Sequence, residues 1–406
     1  MSVTTKKLAA PSVLPVYGIL FAISSGHFIN DTLQAVVPAM FPILEKELQL
    51  TYTEIGWIAF MLNMTSSVLQ PVFGYFADRK PSPFLLPIAM LFSMIGVLGY
   101  AMFQHFLFLL LAVMFIGMGS AIFHPEGSRV AYMAAGNRRG FAQSIYQVGG
   151  NTGQSLAPII TAFILVPLGQ KGAALFMLVA LLGAIILYRV SLWYRKQTMH
   201  SRIKPKHQTS KTRLSHIPHP VKGAIALLIF LVFVRSWYGA AISNFYQFYL
   251  IEDYGLSIRE AQIYVFIFMF ASVIGTFIGG PIADRIGKRT VIFGSLLGGA
   301  PFALMLPHVP LIGVIPIVFL LGIILFSSFS VTVVYAQELV PRNVGMVSGL
   351  IVGLAFGMGA IGAVFFGGMA DAFSIRSVMV VSSFLPLFGL LTWRLPSDHT
   401  IRSWYQ

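Results

Sequence analysis

The sequence contains no cysteine and few charged residues. The absence of cysteine excludes disulfide bonds and thiolate metal sites. Charged residues make up 10% of the 406 residues, against about 25% in a typical soluble protein. Hydrophobic residues make up 57%, which is more than one soluble core of this length can bury. The composition therefore predicts a protein whose surface is largely in contact with lipid.

The sequence also lacks the common signatures of enzymes. It has no H-E-x-x-H, no G-x-S-x-G and no Walker sequence, which argues against a zinc peptidase, an α/β hydrolase and an ATPase. Most of the nine histidines are isolated or lie in a basic central segment. We therefore expect no enzyme activity, no cofactor and no bound metal. A membrane-embedded enzyme is the alternative from a different functional class.

Long apolar runs fill most of the chain. A helix needs about 20 apolar residues to cross a bilayer, and the sequence has twelve such runs. They lie near residues 16–40, 53–76, 84–103, 106–131, 140–167, 172–194, 222–250, 258–282, 290–307, 310–336, 344–369 and 375–395. This pattern predicts an all-α membrane protein with twelve transmembrane helices.

The basic residues are unevenly distributed between the predicted loops. A cytoplasmic N-terminus puts most of the 27 Lys and Arg on the cytoplasmic side and leaves Lys46, Lys171, Arg259 and Arg376 on the other. Because Lys and Arg collect in cytoplasmic loops, both termini are predicted to be cytoplasmic. The formal net charge of +14 then reflects membrane topology. We therefore expect membrane lipid as a partner and no nucleic acid.

The two halves of the sequence resemble each other. The pair Asp78–Arg79 recurs as Asp284–Arg285, each after a glycine-containing span. Two six-span halves around a basic segment are typical of transporters built from parallel repeats, whose binding site lies between the repeats. The predicted units are a six-helix bundle at 1–194, a basic cytoplasmic linker at 195–221 and a second six-helix bundle at 222–406.

Polar side chains recur at helical spacing within the first and fifth predicted spans. His27, Asn30 and Asp31 lie on or beside one face of the first span. The fifth span carries a second polar stripe with Gln147 and Asn151. Ionisable residues at this depth usually face water or each other, so we expect a wet cavity. Asp31 with His27 is the predicted proton carrier, and Asn30, Gln147 and Asn151 are predicted substrate contacts. The alternative for Asp31 is a permanent structural pair with His27.

The fourth span ends in "IFHPEGSRVA", which brings three ionisable residues into an apolar run. Glu126 and Arg129 are three residues apart and can pair on a helix, while Pro125 removes one backbone hydrogen bond. One interpretation is a charged corner in which His124 and Glu126 couple a proton to a gate or to an anionic ligand. The other is a salt bridge that only joins the fourth span to the loop after Asp78.

A second arginine lies near the middle of an apolar span, the seventh. Arg235, Tyr238 and Tyr246 approximate one helix face. A guanidinium binds a phosphonate or carboxylate through two parallel hydrogen bonds. We therefore predict that these residues contact the substrate and that Arg235 holds its anionic group, with Arg129 as the alternative. The competing interpretation makes Arg235 the partner of an acid in the first half.

Several motifs resemble those of a known transporter family. The string "GGPIADRIGKRT" is similar to the loop signature G-x-x-x-D-R-x-G-R/K-R/K of the major facilitator superfamily, and "GMGSA" resembles the motif of its fourth span. The first copy of the loop departs from the signature, since Lys80, Pro81 and Ser82 follow Arg79. The strings "SGHFINDTLQ", "FHPEGSRVA", "QSIYQVGGNTGQSLAP" and "VYAQELVPRNVGMVSG" resemble the fosmidomycin-resistance branch.

This resemblance implies two pseudo-symmetric six-helix bundles and a monomeric, proton-coupled antiporter. Its partners would be protons and a small anionic antibiotic such as fosmidomycin, exported across the bacterial inner membrane. It also implies a cytoplasmic gate formed by charged loop residues, namely Asp78, Arg79, Asp284, Arg285, Lys288 and Arg289. The alternative transporter is a proton symporter that takes up a small organic anion.

The predicted topology can be tested by labelling. A cysteine introduced as Ser210→Cys, in a chain that has no other cysteine, should react with membrane-impermeant maleimides only from the cytoplasmic side. Inside-out vesicles and intact cells give the two arms of the measurement. Labelling in intact cells would contradict the predicted orientation.

Overall fold

The computed structural model describes residues 14–79, 82–136, 138–200, 219–341 and 344–404. These residues form helices joined by short loops, with no strand among them. The helices of the first half are α1 (Tyr17–Ala39), α2 (Phe41–Leu48), α3 (Tyr52–Arg79), α4 (Leu85–Met102), α5 (Phe106–Ala134), α6 (Arg139–Ile160), the π-helical Thr161–Leu165, α7 (Val166–Leu168), the 3-10 helix Gln170–Leu175 and α8 (Phe176–His200). Those of the second half are α9 (His219–Tyr254), α10 (Ile258–Ile286), α11 (Lys288–Met305), the 3-10 helix Leu306–His308, α12 (Leu311–Phe326), α13 (Phe329–Leu339), α14 (Val344–Ala372), α15 (Ile375–Ser383), the 3-10 helix Leu385–Arg394 and α16 (Asp398–Ser403). Most of the predicted linker, residues 201–218, lies outside the described residues.

Ten helical segments of the described chain are long and apolar enough to cross a membrane. The first two predicted spans, α1 and α3, are helices of 23 and 28 residues but are not among the ten. Their polar side chains account for this, since α1 alone carries His27, Asn30 and Asp31. The protein is thus an all-helical, multi-pass membrane protein, and α1, which bears the predicted proton carrier, is one of the two long predicted spans outside these ten.

The tenth predicted span is interrupted within the bundle. Helix α12 ends at Phe326 and α13 begins at Phe329, with a turn at Ser327 and Ser328 between them. Gly279 of α10 packs directly on the Ser327 carbonyl, where any side chain would clash. Irregular backbone at membrane depth persists only where protein buries it or where it lines a cavity. The break therefore places the start of α13 in the interior of the second half.

Helices α3 and α14 form the largest contact between the two halves, and they diverge along their length. Gly367 lies so close to Tyr52 that a Cβ would clash with the backbone oxygen of Tyr52. A Cβ on Gly357 would lie 4.0 Å from the Ser67 hydroxyl, and one on Gly353 would meet nothing within 4 Å. Among the described residues, α3 and α14 therefore touch closely at one end of the bundle and lie farther apart toward the other.

We name the two ends of the bundle by the chain segments that lie there. The terminal face holds the start of α1, the loop at Ser82 and the α10–α11 junction at Gly287. The distal face holds the segment from Ala39 to Thr51 and the loop at Phe373. Gly367 and Tyr52 lie toward the distal face, so the structure is closed there.

A carboxylate of α14 caps α3 across the two halves at the distal face. Asp371 accepts hydrogen bonds from the backbone N–H of Tyr52 (2.9 Å) and Thr53 (2.7 Å) at the start of α3. The Tyr52 hydroxyl also donates to Glu252 at the end of α9. An anion at a helix N-terminus satisfies free N–H groups and interacts favourably with the helix dipole, by about 0.3–1 kcal/mol at an exposed site. Asp371 thus holds the distal closure in place.

Two buried glutamines make a second set of bonds between the halves. Gln247 of α9 donates to the carbonyl oxygen of Pro38 (2.7 Å), and Gln262 of α10 donates to that of Ala39 (2.9 Å). Both carbonyls belong to the last turn of α1, where the C=O groups lack the regular i+4 partners of a helix interior. Between described residues, we find no hydrogen bond or ion pair that joins the halves at the terminal face.

The distal closure can be tested by cross-linking. A Cβ on Gly368 would lie 3.9 Å from the Thr53 hydroxyl, which suits a disulfide. The pair Thr53→Cys and Gly368→Cys should therefore cross-link on mild oxidation, measured as a gel shift after cleavage between the halves. The pair Gly74→Cys and Gly353→Cys, near the open end of the same two helices, is the matched control and should stay unlinked. Equal cross-linking of both pairs would contradict the divergence of α3 and α14.

Candidate functional site

Asp31 lies at the centre of a buried polar cluster between α1, α5 and α6. Only 3% of this residue is exposed. Its Oδ2 accepts a hydrogen bond from the Gln154 amide of α6 (2.8 Å), and its Oδ1 accepts one from the neighbouring Asn30 amide (3.0 Å). Both bonds stabilise a carboxylate that has been removed from water.

Two imidazoles face the same carboxylate. His27 Nε2 lies 3.4 Å from Oδ2, and His124 Nε2 lies 3.5 Å from Oδ1. The other nitrogen of each ring lies beside a backbone carbonyl: His27 Nδ1 is 2.8 Å from the Tyr146 oxygen, and His124 Nδ1 is 2.9 Å from the Ser120 oxygen. A carbonyl only accepts, so the His27 Nδ1 carries a hydrogen and donates it. The His124 Nδ1 also lies 3.1 Å from the Ser120 hydroxyl, and donation to the closer Ser120 carbonyl gives His124 the same tautomer.

These tautomers decide what the cluster can do. A neutral ring with its hydrogen on Nδ1 presents a lone pair at Nε2. Each Nε2 then faces a carboxylate oxygen, and two acceptors form a hydrogen bond only when a proton lies between them. Asp31, His27 and His124 therefore form two adjacent contacts, each of which is completed by one added proton. The same three groups, within 4.8 Å of one another, have a spacing that a metal ion also accepts.

The local sequence explains how the cluster is assembled. His27 and Asp31 are four residues apart on α1 and so share a face. Gly150 of α6 packs against both, and a Cβ there would clash with the His27 ring and lie 2.8 Å from Asp31 Oδ2. The His27 ring also stacks on Tyr146, with centroids 4.1 Å apart. Glycine at position 150 thus lets α6 approach α1 closely enough for Gln154 to reach the carboxylate.

Glu126 points away from this cluster, although it is only two residues from His124. Positions i and i+2 do not face each other on a helix. The buried Glu126 carboxylate accepts from the Ser82 backbone N–H (3.3 Å) and from the Tyr194 hydroxyl of α8 (2.8 Å). Arg129 also lies beside Tyr194. These contacts fit the interpretation of a link between the fourth span and the loop after α3, since Ser82 belongs to that loop.

The predicted substrate contacts divide into accessible and buried groups. Gln147 is exposed and Asn151 half-buried on α6, the helix that also supplies Gln154. Asn30, in contrast, is buried and serves Asp31. Arg235 and Tyr238 are also buried, and Tyr246 is likewise buried within the second half. Arg235 turns into the second half, where it bonds to Ser328 and Thr332, and it meets no acid of the first half among the described side chains.

The predicted gate residues do not join the two halves between described residues. Asp284 and Arg285 are exposed at the terminal face and have no ion pair with a described residue. Lys288 binds Glu338 (2.9 Å) and approaches Asp398 (3.9 Å), and Arg289 lies over the Trp393 ring (4.7 Å), all within the second half. The side chains of Asp78 and Arg79 lie outside the described residues. In this conformation the closure lies at the distal face.

Sequence reasoning missed the residues that close the distal face. Asp371 and Gln262 lie in segments with no polar stripe, and no local pattern pairs them with α3 or α1. Gln154 lies at helical spacing from Gln147 and Asn151, but the sequence does not indicate that its amide reaches Asp31. The only sequence signal for Asp371 is its position as a single acidic residue at the end of an apolar span. Single acidic residues are equally common in exposed loops.

Comparison with known proteins fits these observations. The profile of the Major Facilitator Superfamily matches residues 23–360 and 227–403. This chain belongs to that superfamily. The predicted family and the predicted all-helical transporter fold are thereby confirmed, and homologues and fold alike are those of membrane transporters.

Two curated bacterial proteins are similar over almost their whole length. The uncharacterized MFS-type transporter YfnC of Bacillus subtilis (strain 168) is 54% identical over 390 residues, covering 96% of this chain and 95% of that protein. The fosmidomycin resistance protein of Escherichia coli (strain K12) is 46% identical over 385 residues, covering 94% and 93%. This similarity confirms the predicted fosmidomycin-resistance branch.

Solved structures agree with the fold. A bacterial homologue of the human lysosomal transporter Spinster, in an inward-facing and occupied conformation, superposes with a TM-score of 0.78, covering 96% of this chain and 98% of that one. The nucleoside transporter NupG gives 0.70, covering 93% and 98%. The sequence identities are 16% and 13%, so these likenesses concern the fold alone.

Proposed function

We propose that this protein is a proton-coupled antiporter that exports a small anionic antibiotic such as fosmidomycin across the bacterial inner membrane. In this proposal both chain termini lie in the cytoplasm, and the terminal face is therefore the cytoplasmic face. The described conformation is then closed toward the outside and open toward the cytoplasm, the state in which an exporter takes up its cargo. The similarity to the fosmidomycin resistance protein supports the cargo class.

The buried cluster around Asp31 carries the proposal. Coupling needs a site whose proton occupancy changes the relative stability of the inward-open and outward-open states. Among the described residues, Asp31 bonds to groups of the first half alone, and its two imidazole contacts are completed by added protons. His27 and His124 therefore serve as its proton partners, and Glu126, bound at the terminal face, is the second candidate.

The accessible polar face of α6 is the proposed contact surface for the drug. Gln147 and Asn151 lie on this helix, two turns and one turn from Gln154, which bonds to Asp31. His124, with a quarter of its side chain exposed, offers a basic group at the same cluster. A drug bound there touches the groups that hold the proton, so its binding and proton binding influence each other. Arg235 lies outside this surface.

The proton assignment predicts the behaviour of Asp31→Asn. In proteoliposomes with an imposed pH gradient, this variant should lose gradient-driven fosmidomycin transport, because an amide takes up no proton in this range. It should still bind the drug and exchange it between the two sides without a gradient. Asp253→Asn, which alters a partner of the exposed Arg376, is the control and should transport normally. Chelator in all samples removes any contribution from a bound metal.

The outcomes separate the alternatives. Gradient-driven transport by Asp31→Asn, together with its loss in Glu126→Gln, would move the proton site to Glu126. Accumulation of drug on the side from which protons leave is expected for antiport. Accumulation on the side that protons enter would instead favour uptake by symport.

The surface assignment predicts that Gln147→Ala with Asn151→Ala weakens fosmidomycin binding about tenfold, equivalent to about 1.4 kcal/mol. Each amide supplies a hydrogen bond that alanine lacks. Tritiated drug binding to the purified protein measures this directly. Arg235→Gln is the contrasting variant and should bind within about twofold of the unaltered protein. A strong loss of fosmidomycin binding in Arg235→Gln, with none in the double variant, would instead assign the anionic group of the drug to Arg235.

A further inference from the structure

Arg235 is a buried cation with no anionic partner among the described residues. It lies on α9 and is 5% exposed. Its Nη1 donates to the hydroxyl of Ser328 (3.1 Å), the residue before α13, and to that of Thr332 (3.2 Å) on α13, and its Cζ lies 5.2 Å from the centre of the Phe329 ring. No carboxylate of the described chain forms an ion pair with it.

The hydrogen-bonding capacity of this side chain is only partly used. A guanidinium carries five N–H donors, and both bonds to described groups come from Nη1. The three N–H groups on Nε and Nη2 therefore have no protein acceptor in the described chain. A buried charge is costly unless it is both paired and hydrogen-bonded. An additional acceptor that carries negative charge would meet both needs.

A small cavity adjoins the guanidinium. It has a volume of about 10 Å³ and is lined by Arg235, Ser328 and Thr332 on its polar side and by aliphatic side chains such as Ile292 and Leu296 elsewhere. This is the space open to the centre of a water-sized molecule, so the cavity has room for at least one water or one monatomic anion.

The backbone around the cavity also favours an anion. Ser328 is the N-cap residue of α13, and its side chain makes no cap hydrogen bond. The first N–H groups of α13 and the positive end of its dipole thus lie beside the guanidinium. The Ser328 hydroxyl is 2.6 Å from that of Ser295, which links α11 to the same group. The turn between α12 and α13 thus contributes Ser328 to the wall of this cavity.

We infer that Arg235, Ser328 and Thr332 form a binding site for one halide ion, chloride under cellular conditions. The ion accepts from the free guanidinium N–H groups and neutralises the buried charge. It joins α9 to α13 inside the second half and is separate from the proton cluster of the first half. A monatomic anion is favoured over a water molecule because water supplies an acceptor but no charge.

The first test measures thermal unfolding of the full-length protein in detergent. Replacing gluconate by chloride at constant ionic strength should raise the melting temperature of the unaltered protein in a saturable manner, by about 2 °C at saturation. Arg235→Gln should show no difference between the two salts. Arg376→Gln removes a positive charge at an exposed position and should keep the full chloride response.

A second variant guards against a folding defect in Arg235→Gln. Ser328→Ala keeps the guanidinium but removes one polar wall of the cavity, and it should raise the chloride concentration at half-effect about tenfold. Crystals grown in bromide should show an anomalous peak between the guanidinium and Ser328. Equal melting temperatures in chloride and gluconate, or a response that survives in Arg235→Gln, would overturn the site. The assay involves no drug and no pH gradient, so its result is independent of the proposed function.

Discussion

A carboxylate held in an apolar helix bundle is the constraint on which the first half depends. Removed from water, Asp31 needs donors from its surroundings, and it receives them from Asn30 and Gln154. Two imidazoles complete the shell but can bond to the carboxylate only with an added proton. The close packing of α1 on α6 at Gly150 follows from this need, since a larger residue would separate the groups that solvate the charge. The polarity of α1 is the cost of this arrangement.

The contact between the halves has a different basis. It combines close backbone packing of α3 on α14 with hydrogen bonds that satisfy helix ends: Asp371 caps the start of α3, and Gln247 and Gln262 bind the last carbonyls of α1. In the proposed transport cycle, each of these groups exchanges its bond for one to water when the distal face opens, so each hydrogen bond adds only about 0.5–1.5 kcal/mol net to the closed state. A transporter that alternates between two states requires such a balance.

The related halves carry buried charges of opposite sign. The first half holds an acid between imidazoles of α1 and α5, and the second holds an arginine between hydroxyls of α13. Both charges lie on the first long helix of their half and face the fourth span of that half. In our proposals, the shared architecture supports a proton site in one half and an anion site in the other.

The sequence by itself determined that this is an all-α membrane protein, because its composition and its long apolar runs reflect contact with lipid. It also determined the family, the pairing of His27 with Asp31 on one helix face, and the presence of ionisable groups in "FHPEGSRV", since these rest on local spacing. It did not determine that His124 faces Asp31 while Glu126 faces Ser82, because helical spacing separates two faces without saying what lies opposite each. Only the tertiary structure decided that Arg235 turns into its own half and that Asp371 reaches Tyr52, 319 residues away in the chain. In a helix surrounded by other helices, apolar residues occur on every face. The spacing of apolar residues, which identifies the buried face of a helix in a soluble protein, therefore does not show which neighbour each face contacts. Only the packing of the helices shows this.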